Sequence, residues 1–94
     1  MVMDPLTKRW YISAMNPADI IAKIRVVIPD AQVDLVDLTG TKDHWQATIV
    51  SDAFEGMSLL KRQRMIYGAL AEEMKGPIHA LSMKVLTVSQ AAEQ

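Results

Sequence analysis

The sequence predicts an α+β domain: a two-layer sandwich with helices on one face of a mixed three-stranded sheet. Three observations carry that expectation. Apolar residues recur at helical spacing in residues 17–28 and again in 59–75. Two segments suited to strands, 31–39 and 44–51, are separated by a short turn-forming stretch, which makes them an antiparallel hairpin. A third alternating segment, 78–88, follows the second helix, and a strand reached through a helical crossover runs parallel to its neighbour. The 94 residues suit one domain, taken as residues 16–88 with an extension at 1–15 and a tail at 89–94.

Asn16-Pro17-Ala18-Asp19 is a helix start. Asn16 is a good N-cap, Pro17 tolerates the first helical position because its missing N–H has no partner there, and Asp19 suits the positive helix end. Ile20, Ile21, Ile24, Val27 and Ile28 then define one apolar face, and Pro29 stops the helix. In 31–39, Val33 and Leu35 share a face with Ala31, but Val36 and Leu38 fall on the side of Asp34, so a bulge or a two-sided strand is expected. Thr39 to Asp43 reads as a turn. In 44–51, Trp45, Ala47 and Ile49 form one face and Gln46, Thr48 and Val50 the other.

Residues 52–57 form a compact connector with room for one helical turn, and Ser58 caps the next helix. Leu59, Ile66, Tyr67, Leu70 and Met74 are its expected buried stripe, with Leu60 and Ala71 beside it. Gly68 costs about 1 kcal/mol relative to Ala inside a helix and is expected where the helix packs close to the sheet. Gly76 and Pro77 end it. In the third strand His79, Leu81, Met83 and Val85 share one face, and the more polar Ala80, Ser82, Lys84 and Leu86 share the other. The tail forms a short helix or frays. Residues 1–15 are read as a poorly ordered arm or as a segment docked through Trp10, Tyr11 and Ile12.

Composition narrows the function classes. Net charge is −1, which gives no global electrostatic case for nucleic acid or an anionic membrane. No apolar run approaches the length that spans a bilayer. With no cysteine, the fold rests on no disulfide and the chain offers no thiolate to a metal, which suits a reducing compartment; a cytoplasmic location is expected, or an organelle in a eukaryotic cell. There is no nucleophile motif, no acid–base pairing of histidine and no glycine-rich phosphate loop, so the chain is expected not to be an enzyme.

Two constellations remain. Lys61, Arg62 and Arg64 cluster on the first turns of the second helix, and that cluster is expected to face away from the apolar stripe, toward solvent or an anionic partner. Exposed aromatics for base stacking are scarce, with one Phe and two Tyr. The two histidines, His44 and His79, each open a strand. If those strands are parallel neighbours, both openings lie at one end of the sheet. Two imidazoles do not close a metal site, since a structural zinc needs four protein ligands. An iron–sulfur cluster with mixed histidine and thiolate ligation is chemically feasible, with the thiolates supplied by another molecule.

Three blocks carry a resemblance: Phe54-Glu55-Gly56-Met57-Ser58-Leu59-Leu60, Lys61-Arg62-Gln63-Arg64-Met65-Ile66-Tyr67, and Ile78-His79-Ala80-Leu81-Ser82-Met83-Lys84. In this order and spacing, over roughly residues 16–88, they resemble the BolA family. The resemblance implies an α-β-β-α-α-β core similar to a type II KH domain. It implies a partnership with a monothiol glutaredoxin and a 2Fe–2S cluster shared with it, with thiolates from the glutaredoxin and from glutathione. His79, in the Ile-His-Ala-Leu motif, is the implied ligand on this side, and His44 is the candidate from the loop between the first two strands. The isolated domain is expected as a monomer or a weak homodimer.

The family is also linked to transcription regulation, morphology and stress response. Here a KH-like nucleic-acid interface, DNA or RNA, would use Gly56, Lys61, Arg62 and Arg64, but Phe54 to Ser58 does not supply the G-x-x-G loop of KH domains. Gln63 stands where members often carry histidine between two basic residues, and the tail lacks the segment with Pro and Trp common after the third strand.

Overall fold

The computed structural model describes residues 2–3, 10–11, 16–76, 78 and 80–94. The elements are β1 (Val2–Met3), β2 (Trp10–Tyr11), α1 (Pro17–Val27), β3 (Gln32–Asp37), β4 (His44–Val50), a 3-10 turn (Asp52–Phe54), α2 (Leu59–Ala69), α3 (Ala71–Met74), β5 (Ala80–Leu86) and α4 (Val88–Ala92). From α1 to β5 this is the expected α-β-β-α-α-β order. Within residues 1–15 the backbone of β1 pairs antiparallel with β2, Val2 opposite Tyr11 and Met3 opposite Trp10. The expected docking through Trp10, Tyr11 and Ile12 concerns side chains outside the described residues.

The main sheet has β4 at its centre, antiparallel to β3 and parallel to β5. Alternation sets its two faces. Trp45, Ala47 and Ile49 are buried on the inner face of β4, joined by Val85 of β5. Ile20 and Ile24 from α1, Ile28 at its C-cap, Ile66 from α2 and Leu70 at its C-cap join them in one core with Phe54 and Ile78. The outer face carries exposed Asp34, Gln46, Ser82 and Lys84. Two layers result because the sheet has one apolar face to bury. Among the described residues, no helix is long and apolar enough to cross a membrane.

The caps behave as the residue types require. The Asn16 side chain accepts from the Ala18 N–H at 3.0 Å and the Ser58 hydroxyl from the Lys61 N–H at 3.2 Å. The tail is helical rather than frayed: Thr87 and Gln90 form a capping box that starts α4.

Four expectations need correction. Residues 32–37 contain no bulge, since pairing runs from Gln32↔Val50 to Asp37↔Trp45 without a step. The surplus apolar residues Val36 and Leu38 stay on the open side, 54% exposed each. On α1, the strict four-residue spacing of Ile20, Ile24 and Ile28 is buried, while Val27 lies toward solvent. The segment 59–75 is two helices, because Leu70 leaves helical geometry at φ −109°, ψ 19°. That residue is fully buried. Gly68 does not approach the sheet: it is exposed, and a Cβ there would meet nothing within 4 Å.

The expected stripe on α2 is also rotated. Leu59, Leu60 and Tyr67 are exposed, and the inward row is Arg62, Ile66 and Leu70. A row at i, i+4 and i+8 is one face of a helix, so burying Ile66 and Leu70 carries Arg62 inward with them.

Candidate functional site

The loop between β3 and β4 is tied from within. Asp37 closes it by collecting backbone donors: its Oδ1 accepts from the Thr39 and Gly40 N–H groups at 3.4 and 3.0 Å, and its Oδ2 from the Lys42 N–H at 3.1 Å. Gly40 and Lys42 both take positive φ, 77° and 58°. The Leu38 N–H donates to the His44 carbonyl at 2.9 Å, and the buried Trp45 donates its indole N–H to the Lys42 carbonyl at 3.2 Å. A short polar side chain that bonds its own following backbone is the usual reason for aspartate at such a position.

Beyond this turn, Asp43 gathers side chains. The hydroxyls of Thr39 and Thr41 lie 2.6 Å apart, so that one donates to the other, and Thr41 donates to Asp43 Oδ1. His44 Nδ1 lies 2.9 Å from the same oxygen. The His44 side chain is 39% exposed and that of Asp43 is 19% exposed. The imidazole is therefore accessible while its carboxylate neighbour is mostly enclosed.

The expected meeting of two strand openings at one end of the sheet is present. His44 is in register with Ala80, and the Ala80 N–H donates to the Asp43 carbonyl at 3.2 Å. His79 is the residue before Ala80 in the chain and lies outside the described residues. Among the described residues, no group of three or more His, Cys, Asp or Glu side chains is placed to hold a metal ion. His44 nevertheless fits the role of a single imidazole donor, since a half-exposed ring on a braced loop can meet an iron presented by another molecule.

The basic cluster divides. Lys61 and Arg64 are exposed. Arg62 is 9% exposed and its guanidinium is engaged inside the fold, which corrects the expectation that it faces outward. Its Nε donates to the Met57 carbonyl at 3.1 Å, and its Nη1 to the Val85 carbonyl at 3.2 Å and the Gln90 side-chain oxygen at 2.7 Å. The cation also sits 5.8 Å from the Phe54 ring centroid. Arg62 thus pins the start of α2 to the end of β5 and to α4. Its four-residue offset from Ile66 places it on the buried face of the helix, but its partners Val85 and Gln90 are distant in the sequence.

Gly56 lies in the turn after the 3-10 element with φ +72° and open space where a Cβ would be. Its backbone explains it without a ligand: a residue with a Cβ is strained in this region. Gly56→Ala is expected to destabilise the domain by about 1 kcal/mol, read as a lower urea midpoint at unchanged slope.

Compared with known proteins, the family model for BolA-like proteins matches residues 24–90, from the middle of α1 into α4 and through the whole loop and sheet end. The chain belongs to the BolA-like family. The BolA-like protein 1 of Pongo abelii is 46% identical over 54 residues, which are 57% of this chain and 39% of that protein. This chain thus spans well under half of that relative. The DNA-binding transcriptional regulator BolA of Escherichia coli strain K12 is 33% identical over 75 residues, covering 72% of this chain and 71% of the regulator. Among solved structures, BolA1 from Arabidopsis thaliana superposes with a TM-score of 0.72 at 29% identity, over 86% of this chain and 98% of that one. A BolA-like domain therefore accounts for both the element order and the mixed sheet.

Proposed function

We propose that this BolA-like domain is an adaptor that docks a monothiol glutaredoxin and shares with it a glutathione-ligated 2Fe–2S cluster, in iron–sulfur trafficking or iron and redox regulation. The observation that carries the reading is the placement of His44: a half-exposed imidazole, braced by Asp43, at the end of the sheet where β4 and β5 begin side by side. His79, next to the register partner of His44, is the second ligand in this reading.

The chain has no cysteine, so the sulfur donors belong to the glutaredoxin and to glutathione. Imidazole in place of thiolate lowers the negative charge on a bound cluster and raises its potential. The exposed Lys61 and Arg64 offer charge to acidic groups of the partner. Arg62 is less available for that contact, because its Nε and Nη1 donors are used internally. The adaptor carries out no turnover of its own.

The test mixes the full chain with a cluster-loaded glutaredoxin dimer and records visible circular dichroism. A new cluster spectrum is expected, absent with His79→Ala and weakened with His44→Ala. An unchanged spectrum on mixing, or the same change with His79→Ala, would refute the reading.

A second reading, a KH-like module that binds nucleic acid and regulates transcription, is favoured by one observation: the resemblance to the Escherichia coli regulator over most of that protein's length. It would use Lys61 and Arg64. Tight, steeply salt-dependent binding to DNA or RNA that is lost in Lys61/Arg64 variants and kept in His79→Ala would support it over the first.

A further inference from the structure

We propose that Asp43 is a positioning residue for His44: its carboxylate accepts a hydrogen bond from the imidazole Nδ1–H, selects that tautomer, and so assigns metal ligation to Nε2. The ligation clause rests on the reading of His44 as a cluster ligand; the tautomer clause does not.

The contact is 2.9 Å between His44 Nδ1 and Asp43 Oδ1. An ionised carboxylate only accepts, so Nδ1 must be the donor, and in a neutral ring the lone pair then lies on Nε2. Consecutive residues of a regular strand point to opposite faces and cannot meet in this way. Asp43 can reach His44 because it precedes the first residue of β4 and keeps loop geometry.

Asp43 is itself held. The Thr39 and Thr41 hydroxyls converge on the oxygen that faces the imidazole, and the Asp43 carbonyl accepts from the Ala80 N–H at the opening of β5. One residue therefore orients the ring through its side chain and joins the loop to the neighbouring strand through its backbone. The arrangement is a carboxylate–histidine pair of the kind that fixes ring orientation and strengthens an imidazole as a donor to metal. The four neighbouring residues that build it, Thr39, Thr41, Asp43 and His44, come from one short stretch, so the brace forms with the loop.

Long-range proton–nitrogen NMR on the full chain without a partner reads the tautomer of the neutral His44 ring directly. Nδ1–H is expected in the parent protein. Asp43→Ala is expected to shift the population toward Nε2–H, the form favoured by free imidazole side chains. Asp43→Asn keeps an acceptor oxygen at the same place and is expected to retain Nδ1–H; it also guards against loss of the loop itself. Nε2–H in the parent protein, or an unchanged tautomer in Asp43→Ala, overturns the proposal.

A second arm uses the cluster-loaded glutaredoxin. Asp43→Ala is expected to weaken the shared complex by about 10–100-fold and to have no further effect in a His44→Ala background. If the parent chain forms no such complex while the tautomer follows Asp43, the functional reading and the ligation clause fall and the positioning of the ring stands. If the complex forms at full strength in Asp43→Ala, the ligation clause falls and the functional reading stands.

Discussion

Arg62→Ala is expected to destabilise the domain by about 3–4 kcal/mol, which lowers its melting temperature by about 12–30 °C. Truncation removes a guanidinium that serves the Met57 carbonyl, the Val85 carbonyl and the Gln90 side chain at once. Hydrogen bonds to a charged donor contribute about 1.5–3 kcal/mol each, and the three here share one side chain, so the total falls below their sum. The van der Waals and cation contact with the Phe54 ring is lost as well. Against a total stability of about 5–15 kcal/mol for a small domain, this is a large fraction.

Arg62→Lys is expected to lie between the parent and Arg62→Ala, because an ammonium keeps the charge but lacks the fork that reaches acceptors in different directions. Lys61→Ala and Arg64→Ala, exposed on the same helix, are expected within about 0.5 kcal/mol of the parent. Thermal unfolding of the four variants decides the matter. If Arg62→Ala melts with Lys61→Ala and Arg64→Ala, the internal role of Arg62 is wrong and the side chain returns to the partner surface.

The second large effect is expected at Trp45. Trp45→Ala should cost about 3–5 kcal/mol, the usual range for emptying a large aromatic site in a core. The residue is 2% exposed and sits on the central strand, in register with Asp37 on one side and Leu81 on the other. A cavity there opens on the buried face of the central strand, whose backbone is held in place by both neighbouring strands. Trp45 also donates to the Lys42 carbonyl, so the same change loosens the loop that presents His44. Trp45→Phe separates the two effects. It keeps most of the packing, with a loss of about 1–1.5 kcal/mol expected, but removes the indole donor. Amide exchange should then quicken at 38–44 while the rest of β4 stays protected. Equal protection in the loop of Trp45→Phe and the parent would show that packing alone holds it.

Local chemistry made much of this protein readable in advance. Asn16-Pro17 and Ser58 announce their helices because capping depends only on near neighbours. Trp45, Ala47 and Ile49 announce the inner face of β4 because strand alternation has a period of two. The parallel pairing of β4 with β5 followed from the helical crossover between them, and it places His44 opposite Ala80. The three quoted blocks sufficed for the family.

Three features were not readable, and each depends on contacts between distant or differently oriented segments. Arg62 looked like one of three surface cations, since charge alone suggests solvent. Its partners Val85 and Gln90 lie 23 and 28 residues away, and only the packing of α2 beside β5 brings them within hydrogen-bond range. The break at Leu70 carries no proline or cap signal; it falls on a leucine that is fully buried in the core and lies outside helical dihedrals. The Asp43–His44 contact joins adjacent residues, yet strand periodicity would have set them on opposite faces, and the loop closure by Asp37 and Trp45 is what turns them together.

Near-neighbour rules thus established most of the elements and the strand directions of this chain, because capping, alternation and crossover handedness are short-range or topological constraints, while the three quoted blocks carried the resemblance to its family. Which cation is spent inside the fold, and which carboxylate faces the candidate ligand, emerged from folded geometry, because burial and hydrogen-bond partners belong to the packed whole and not to any one segment.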